Sequence, residues 1–135
     1  MIASLDPSLV LPEGCARDAL YAFAHTMLET DRMEQAVQAF RVLVRFAPTD
    51  ERAWLGLGAC HEKLEQDDVA SELYGAGAMV ASPPSARCHL ALARLARRRG
   101  DMLEAVEYID AAGELASELD DRELSALVDY ERRQS

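Results

Sequence analysis

Apolar and polar residues alternate along most of the chain with the spacing of amphipathic helices. Leu20, Ala24 and Met27, for example, lie four and three residues apart and so share one face of a helix. Pro48 and a proline pair at 83–84 interrupt the pattern, as expected between helices. The pattern predicts an all-α fold with helices at about 17–30, 33–46, 51–64, 67–80, 86–99 and 102–115, followed by one near 120–133.

The helical pattern also repeats. Ala24 and Gly58 occupy equivalent positions 34 residues apart, and Ala93 follows after one extra residue. This period is typical of arrays in which pairs of helices stack on one another. We therefore predict three repeats at 17–50, 51–84 and 86–119, an irregular N-terminal lead-in at 1–16 and a C-terminal capping helix at 120–135.

The repeat resembles the tetratricopeptide repeat. In the middle copy, Trp54 followed by Leu57 and Gly58 matches the large residue and the Leu-Gly pair of that family's first helix. The family's turn glycine appears once, as Gly100, while Asp31 and Glu65 stand at the corresponding positions of the first two copies. The resemblance implies a superhelix of three helix-turn-helix repeats.

Two glycines in the stretch AWLGLGAC need a physical reason, because glycine inside a helix costs about 1 kcal/mol relative to alanine. No strand precedes them and no helix starts after them, so a phosphate-binding loop is disfavoured. We predict instead that the two helices of this repeat pack closely at Gly58, with the small residue Ala70 opposite.

Four stretches carry a more specific resemblance. LYAFA at 20–24, WLGLGAC at 54–60, YGAGAM at 74–79 and RRRGDMLEA at 97–105 are similar to the corresponding stretches of the class II chaperones of bacterial type III secretion. The likeness covers residues 17–119. It implies a cytoplasmic, non-enzymatic protein without cofactors that keeps secreted translocator proteins soluble until export. The family usually dimerises through a longer N-terminal helical region than this chain has. Whether this chain forms a homodimer is therefore an open question.

The resemblance further implies a peptide-binding groove on the concave side. In the family, an extended translocator segment with a P-x-L-x-x-P pattern lies there, against the inner face of each repeat's first helix. The positions that match in this sequence are Tyr21, His25, Leu28, Leu55, Ala59, Glu62, Leu90 and Arg94. His25 and Leu28 replace residues that are usually aromatic in the family, so the groove should be wider or prefer a different side chain.

Basic residues should lie at one end of this inner wall. Arg87, Arg94 and Arg97 share the inner face of one predicted helix and could hold acidic residues or carbonyls of a bound segment. Alternatively, the run at 97–99 stabilises the C-terminus of its helix, where cations complement the helix dipole. The sequence leaves the two interpretations about equal.

Composition narrows the class of partner. The chain has 14 basic and 24 acidic residues, a formal net charge of −10, which repels nucleic acid and anionic membrane surfaces. Cys15, Cys60 and Cys88 form no CxxC pair, which favours a reducing compartment. The first residues lack the pattern of a secretory signal, and no apolar run is long enough to span a bilayer. We expect a cytoplasmic protein.

Metal binding and catalysis have little support in the sequence. The pairs Cys60-His61 and Cys88-His89 suggest zinc, but adjacent helical residues point about 100° apart and no further ligand lies one turn away. No nucleophile lies in a recognisable catalytic turn. We therefore expect no metal site, no cofactor and no enzymatic activity.

Two other functions and one autoinhibitory arrangement stay open. The chain could be a chaperone of the needle subunit, which would hold an amphipathic helix, or an adaptor that joins two folded proteins outside secretion. Residues 7–12, PSLVLP, themselves form a P-x-L-x-x-P sequence. They could occupy a groove until a translocator displaces them, or Pro12 could simply start the first helix, which is the interpretation that we favour.

Overall fold

Seven helices follow one another along residues 15–134, the part of the chain that our computed structural model describes. They are α1 (Cys15–Glu29), α2 (Met33–Phe46), α3 (Glu51–Lys63), α4 (Asp67–Val80), α5 (Ala86–Arg98), α6 (Met102–Glu118) and α7 (Arg122–Arg133). None of these helices is both long enough and apolar enough to cross a membrane.

The helix boundaries agree closely with those predicted from the sequence. Helix α1 begins at Cys15, so the last two residues of the predicted lead-in are helical. Helix α6 runs through Gly113 and continues to Glu118, past its predicted end, because no proline interrupts it before that point. The remainder of the lead-in, including residues 7–12, lies outside the described residues.

The helices are arranged as successive hairpins. Helices α1 and α2, α3 and α4, and α5 and α6 pack as pairs, and each pair packs on the next through α2 with α3 and α4 with α5. The first helices of the pairs also touch in series, α1 with α3 and α3 with α5. Two layers result, an inner one of first helices and an outer one of second helices, which confirms the predicted tetratricopeptide arrangement.

The turn inside each hairpin has a residue in the left-handed conformation. The φ angles are 61° at Asp31, 60° at Glu65 and 86° at Gly100. At the second turn, the amide of Gln66 donates to the carbonyl of His61 at 2.8 Å, which closes the end of α3. This hydrogen bond is the one that normally accompanies a C-terminal glycine. Asp31 and Glu65 thus take over the backbone role of the family's glycine.

Replacing Glu65 with glycine should raise the free energy of unfolding. A side chain at positive φ costs roughly 1–2 kcal/mol, while glycine loses about 0.5–1 kcal/mol more chain entropy on folding, so we expect a net gain of about 0.5–1 kcal/mol. The matched variant is Gly100→Ala, which should lower the free energy of unfolding. Urea denaturation of both variants measures the effect, and a loss of stability in Glu65→Gly would contradict this account of the turn.

Small residues at the repeat positions form the core between the two layers. Ala24, Ala36 and Ala70 have no exposed surface, as the repeat register predicts. Phe23 departs from that register, because it is 47% exposed whereas Leu57, its equivalent in the second repeat, is buried. In the second repeat a preceding hairpin covers this side of the helix, and no described helix precedes α1.

The glycines of α3 make room for aromatic rings. A side chain at Gly56 would overlap the ring of Phe40, and one at Gly58 would overlap the ring of Tyr74. Both rings are almost fully buried. The close packing predicted at Gly58 is present, and the atoms nearest to it belong to Tyr74, one turn along α4 from the predicted Ala70.

Helix α7 closes the C-terminal end of the stack. Leu124 and Val128 are buried against α5 and α6, and Leu127 is partly buried beside them. The side chain of Asp121 caps the helix by accepting a hydrogen bond from the amide of Leu124 at 3.1 Å. The amphipathic pattern of the last residues predicted this apolar face.

Candidate functional site

The candidate site is the inner layer, made by one face of α1, α3 and α5. Because these three helices touch in series, the side chains at equivalent positions form rows that run across them. One row is Tyr21, Leu55 and Leu90, a second is His25, Ala59 and Arg94, and a third is Leu28, Glu62 and Arg97. We call these nine residues the inner wall. It contains all eight residues predicted for the peptide-binding groove.

Two of the predicted groove residues lie in the core instead of on the open surface. Tyr21 is 3% exposed, because it packs in one cluster with Phe40 and Leu57 and the guanidinium of Arg52 lies 4.1 Å from the centre of its ring. Burial, helped by the nearby carboxylate of Asp50, raises the pKa of Tyr21 well above its usual value, so its hydroxyl stays neutral. Leu90 is 8% exposed, since it packs in the cluster that α5 forms with α6 and α7.

The remaining apolar positions of the inner wall are accessible. His25 is exposed, and its ring meets the Phe40 ring edge-on with 5.2 Å between the centroids. Leu28, Leu55 and Ala59 are half-buried. Leu28 and Leu55 rest on the core with part of their surface open. This part of the wall can accept apolar side chains of a ligand.

Glu62 is the centre of a polar cluster at one edge of the wall. One of its oxygens accepts a hydrogen bond from the Tyr74 hydroxyl at 3.1 Å and one from Arg94 Nη2 at 2.5 Å. Arg98 lies 3.4 Å from the other oxygen. Burial and the Glu62 charge both raise the pKa of Tyr74 far above its usual value. Glu62 therefore holds Arg94 in place and is not free to bind a cation of its own.

Each inner arginine of α5 is already paired within the chain. Arg87 Nη2 lies 3.1 Å from Glu123 and Arg97 Nη2 lies 2.6 Å from Glu131, both on α7, while Arg94 is held by Glu62. The wall is therefore close to neutral at the end that the sequence predicted to be basic. The interpretation that all three arginines bind a ligand's acidic residues is not supported.

The acidic partners of these arginines were not predicted from the sequence. The paired residues Arg87 and Glu123, Arg94 and Glu62, and Arg97 and Glu131 are 36, 32 and 34 residues apart. Each pair is thus separated by about one repeat, and a search for opposite charges at the repeat period could have found them. What the sequence alone does not give is the rotation of neighbouring helices that brings the charges together.

The two cysteine–histidine pairs are used in packing and turns. Cys60 and Cys88 are buried, which raises the pKa of each thiol to about 11 and leaves little thiolate at neutral pH. His61 Nδ1 is 2.7 Å from the Gln66 side chain, and the ring of His89 contacts a backbone carbonyl. Within residues 15–134, no three metal-ligating side chains lie close enough together to hold an ion.

One protein, known from two Yersinia species, is similar in sequence to most of this chain. The Low calcium response locus protein H of Yersinia pestis is 32% identical over 113 residues, which is 82% of this chain. The same protein of Yersinia pseudotuberculosis is 31% identical over 113 residues. The matched part of this chain spans 66% of the length of each of these relatives. No protein-family model matches the chain.

Solved structures resemble the fold over nearly their whole length. The type III secretion translocator chaperone SycD of Yersinia enterocolitica superposes with a TM-score of 0.75 and 28% identity, covering 85% of this chain and 86% of SycD. PcrH of Pseudomonas aeruginosa has a TM-score of 0.77 and 25% identity, covering 94% and 96%. PcrH in complex with the chaperone binding region of PopB gives 0.74 and 25%, covering 90% and 97%.

Proposed function

Because this chain belongs to the class II translocator chaperones of bacterial type III secretion, we propose that it is a cytoplasmic chaperone that binds translocator proteins before their export. The observation that carries the proposal is the similarity to PcrH and SycD in their complexes with segments of PopB, PopD and YopD. The proposal includes the absence of enzymatic activity, in keeping with SycD, which is a translocator chaperone.

We place the bound translocator segment on the inner wall, in an extended conformation with a P-x-L-x-x-P pattern. Leu28, Leu55 and Ala59 offer a half-buried apolar surface to its leucine and prolines, and His25 borders that surface. A proline-containing segment is already extended in solution, so it loses little conformational entropy on binding. Tyr21 and Leu90 support this surface from beneath.

Arg94 gives the groove a polar contact for the ligand backbone. Its side chain is 42% exposed even though one nitrogen is bound to Glu62. A guanidinium has five N–H donors, so the others can donate to backbone carbonyls of the bound segment. Because Glu62 neutralises the charge and fixes the side chain, this contact favours a carbonyl over a carboxylate.

A titration with circular dichroism tests the proposal. The ligand is a synthetic segment of a translocator from the same bacterium that carries the P-x-L-x-x-P pattern, and the control is the same segment with both prolines and the leucine replaced by serine. We expect one segment to bind per chaperone without a gain in helical signal, and the control not to bind. Calorimetry gives the stoichiometry and affinity.

The other functions give different results in the same titration. Binding of a needle subunit with a clear gain of helical signal, and no binding of the translocator segment, would favour the needle-subunit chaperone. Binding of neither ligand would favour an adaptor outside secretion. Since one structure of SycD shows an alternative dimer, sedimentation velocity of the free chain belongs in the same series.

A further inference from the structure

Helix α7 occupies the position of the first helix of a fourth repeat. It packs on α6 and also touches α5, just as α5 packs on α4 and touches α3. Its buried residues Leu124 and Val128 lie in one cluster with Leu90 of α5 and Ile109 of α6. Helix α7 therefore extends the inner layer by one helix.

The helix caps set the register between α5 and α7. The Ser85 side chain accepts from the amide three residues later at 3.0 Å, and Asp121 does the same for α7 at 3.1 Å. Aligning these caps places Ala126 at the position of Leu90 and Tyr130 at the position of Arg94. The row of His25, Ala59 and Arg94 thus continues onto Tyr130.

Contacts between the two helices agree with this register. The ion pair of Arg87 with Glu123 and that of Arg97 with Glu131 connect α5 to α7 near both ends of α7. Together they fix the rotation of α7 against α5. Tyr130 is 52% exposed, and Ala126 is exposed as well, whereas the opposite face of the helix is buried.

We propose that Tyr130 is a ligand-contacting residue of the groove, where it receives an apolar or proline side chain of the bound segment. This inference rests on the proposed function, because it extends the same inner wall. A tyrosine ring offers a large, rigid apolar surface whose hydroxyl can stay in water, which suits it to contact an extended peptide. A matching aliphatic or proline residue of the ligand is its partner.

The geometry gives the position of that partner along the ligand. Packed helices lie about 8–10 Å apart, and an extended chain advances about 3.3 Å per residue, so each step from one wall helix to the next corresponds to about three ligand residues. Helices α1, α3 and α5 therefore match a segment of about six residues, the length of P-x-L-x-x-P. With α7 the bound segment has about nine residues, and its additional apolar residue lies about three positions beyond one end of the pattern.

Fluorescence anisotropy with three labelled peptides tests this inference. The first is Pro-Ala-Leu-Ala-Ala-Pro; the other two carry Leu-Ala-Ala added at its N-terminus or Ala-Ala-Leu added at its C-terminus. We expect one of the longer peptides, the one whose leucine reaches α7, to bind about tenfold more tightly than the short one, the gain that a well-buried leucine can give. Tyr130→Ala should abolish that gain and leave the affinity for the short peptide unchanged.

Two further variants separate a contact from a structural effect. Tyr130→Phe should keep the gain, because the ring makes the contact, and Leu103→Ala, which truncates an exposed side chain on α6, should not alter it. The inference is overturned if neither longer peptide binds more tightly, or if the gain survives Tyr130→Ala. If none of the three peptides binds, the proposed function itself fails, and this inference with it.

Discussion

Replacing Gly58 with alanine lowers the free energy of unfolding by about 1–3 kcal/mol, although alanine is the better helix former. The added methyl group would overlap the ring of Tyr74, which is packed between α3 and α4 with almost no exposed surface. Because the ring is almost fully buried, it can move aside only by displacing its neighbours or by letting the helices separate. That movement would also disturb the hydrogen bond from the Tyr74 hydroxyl to Glu62, and with it the position of Arg94 on the inner wall.

Gly75 provides the matched control for this result. It lies in α4, and an added methyl group there would meet no atom within 4 Å beyond its chain neighbours and the backbone of its own helix. Gly75→Ala should therefore gain about 1 kcal/mol from helix propensity alone. Urea denaturation of both variants gives the comparison. If Gly58→Ala were as stable as Gly75→Ala, close packing of Gly58 against the Tyr74 ring would not be what requires glycine at this position.

Filling the proposed groove at Ala59 should weaken translocator binding without unfolding the protein. In the register of the inner wall, Ala59 lies between His25 of α1 and Arg94 of α5, and it is half-buried. In the proposed groove, a tryptophan ring at this position would occupy the space that the ligand's leucine and prolines need. We expect Ala59→Trp to weaken binding of the translocator segment at least about tenfold, or 1.4 kcal/mol.

The comparison needs a variant that adds the same ring elsewhere. Glu107 is exposed on α6 in the outer layer, so Glu107→Trp adds a tryptophan away from the inner wall. It should bind the translocator segment as tightly as the wild type. Calorimetry measures both affinities, and denaturation shows whether both variants are folded. If a folded Ala59→Trp variant bound the segment as tightly as the wild type does, the binding site would not lie on the inner wall.

Much of the fold follows from the repeat period in the sequence. The helix boundaries, the buried alanines at positions 24, 36 and 70, and the turn positions of Asp31 and Glu65 all follow from it. These features depend on local spacing and on which side chains are small enough to lie between two helices. Residue spacing and side-chain size can both be read directly from the sequence, so the repeat pattern is sufficient to predict these features.

The details of the site depend on contacts that the period does not contain. Tyr21 has a position on the inner wall, but its exposure depends on Arg52 of the next repeat, which lies over its ring. Leu90 occupies the position on α5 that Leu55 occupies on α3, but it is buried because α7 helps to cover it. A repeat register treats every copy alike, whereas burial depends on the side chains that each neighbouring helix contributes.

The paired arginines show the same limit for electrostatics. Arg87, Arg94 and Arg97 predicted a basic groove because they share one helix face. Their partners come from α3 and α7, at distances along the chain of about one repeat, and they neutralise that face. The charge of a groove follows from the assembled helices and not from the residues of one helix.

The central claim, that a translocator segment binds on the inner layer, is tested most directly by nuclear magnetic resonance. With 135 residues the chain is small enough for backbone and leucine methyl assignment. Titration with the translocator segment should shift the methyl signals of Leu28 and Leu55 and the amides around Ala59, while Leu103, which is exposed on α6, keeps its position. Shifts confined to α4 and α6, with an unchanged inner wall, would contradict the account.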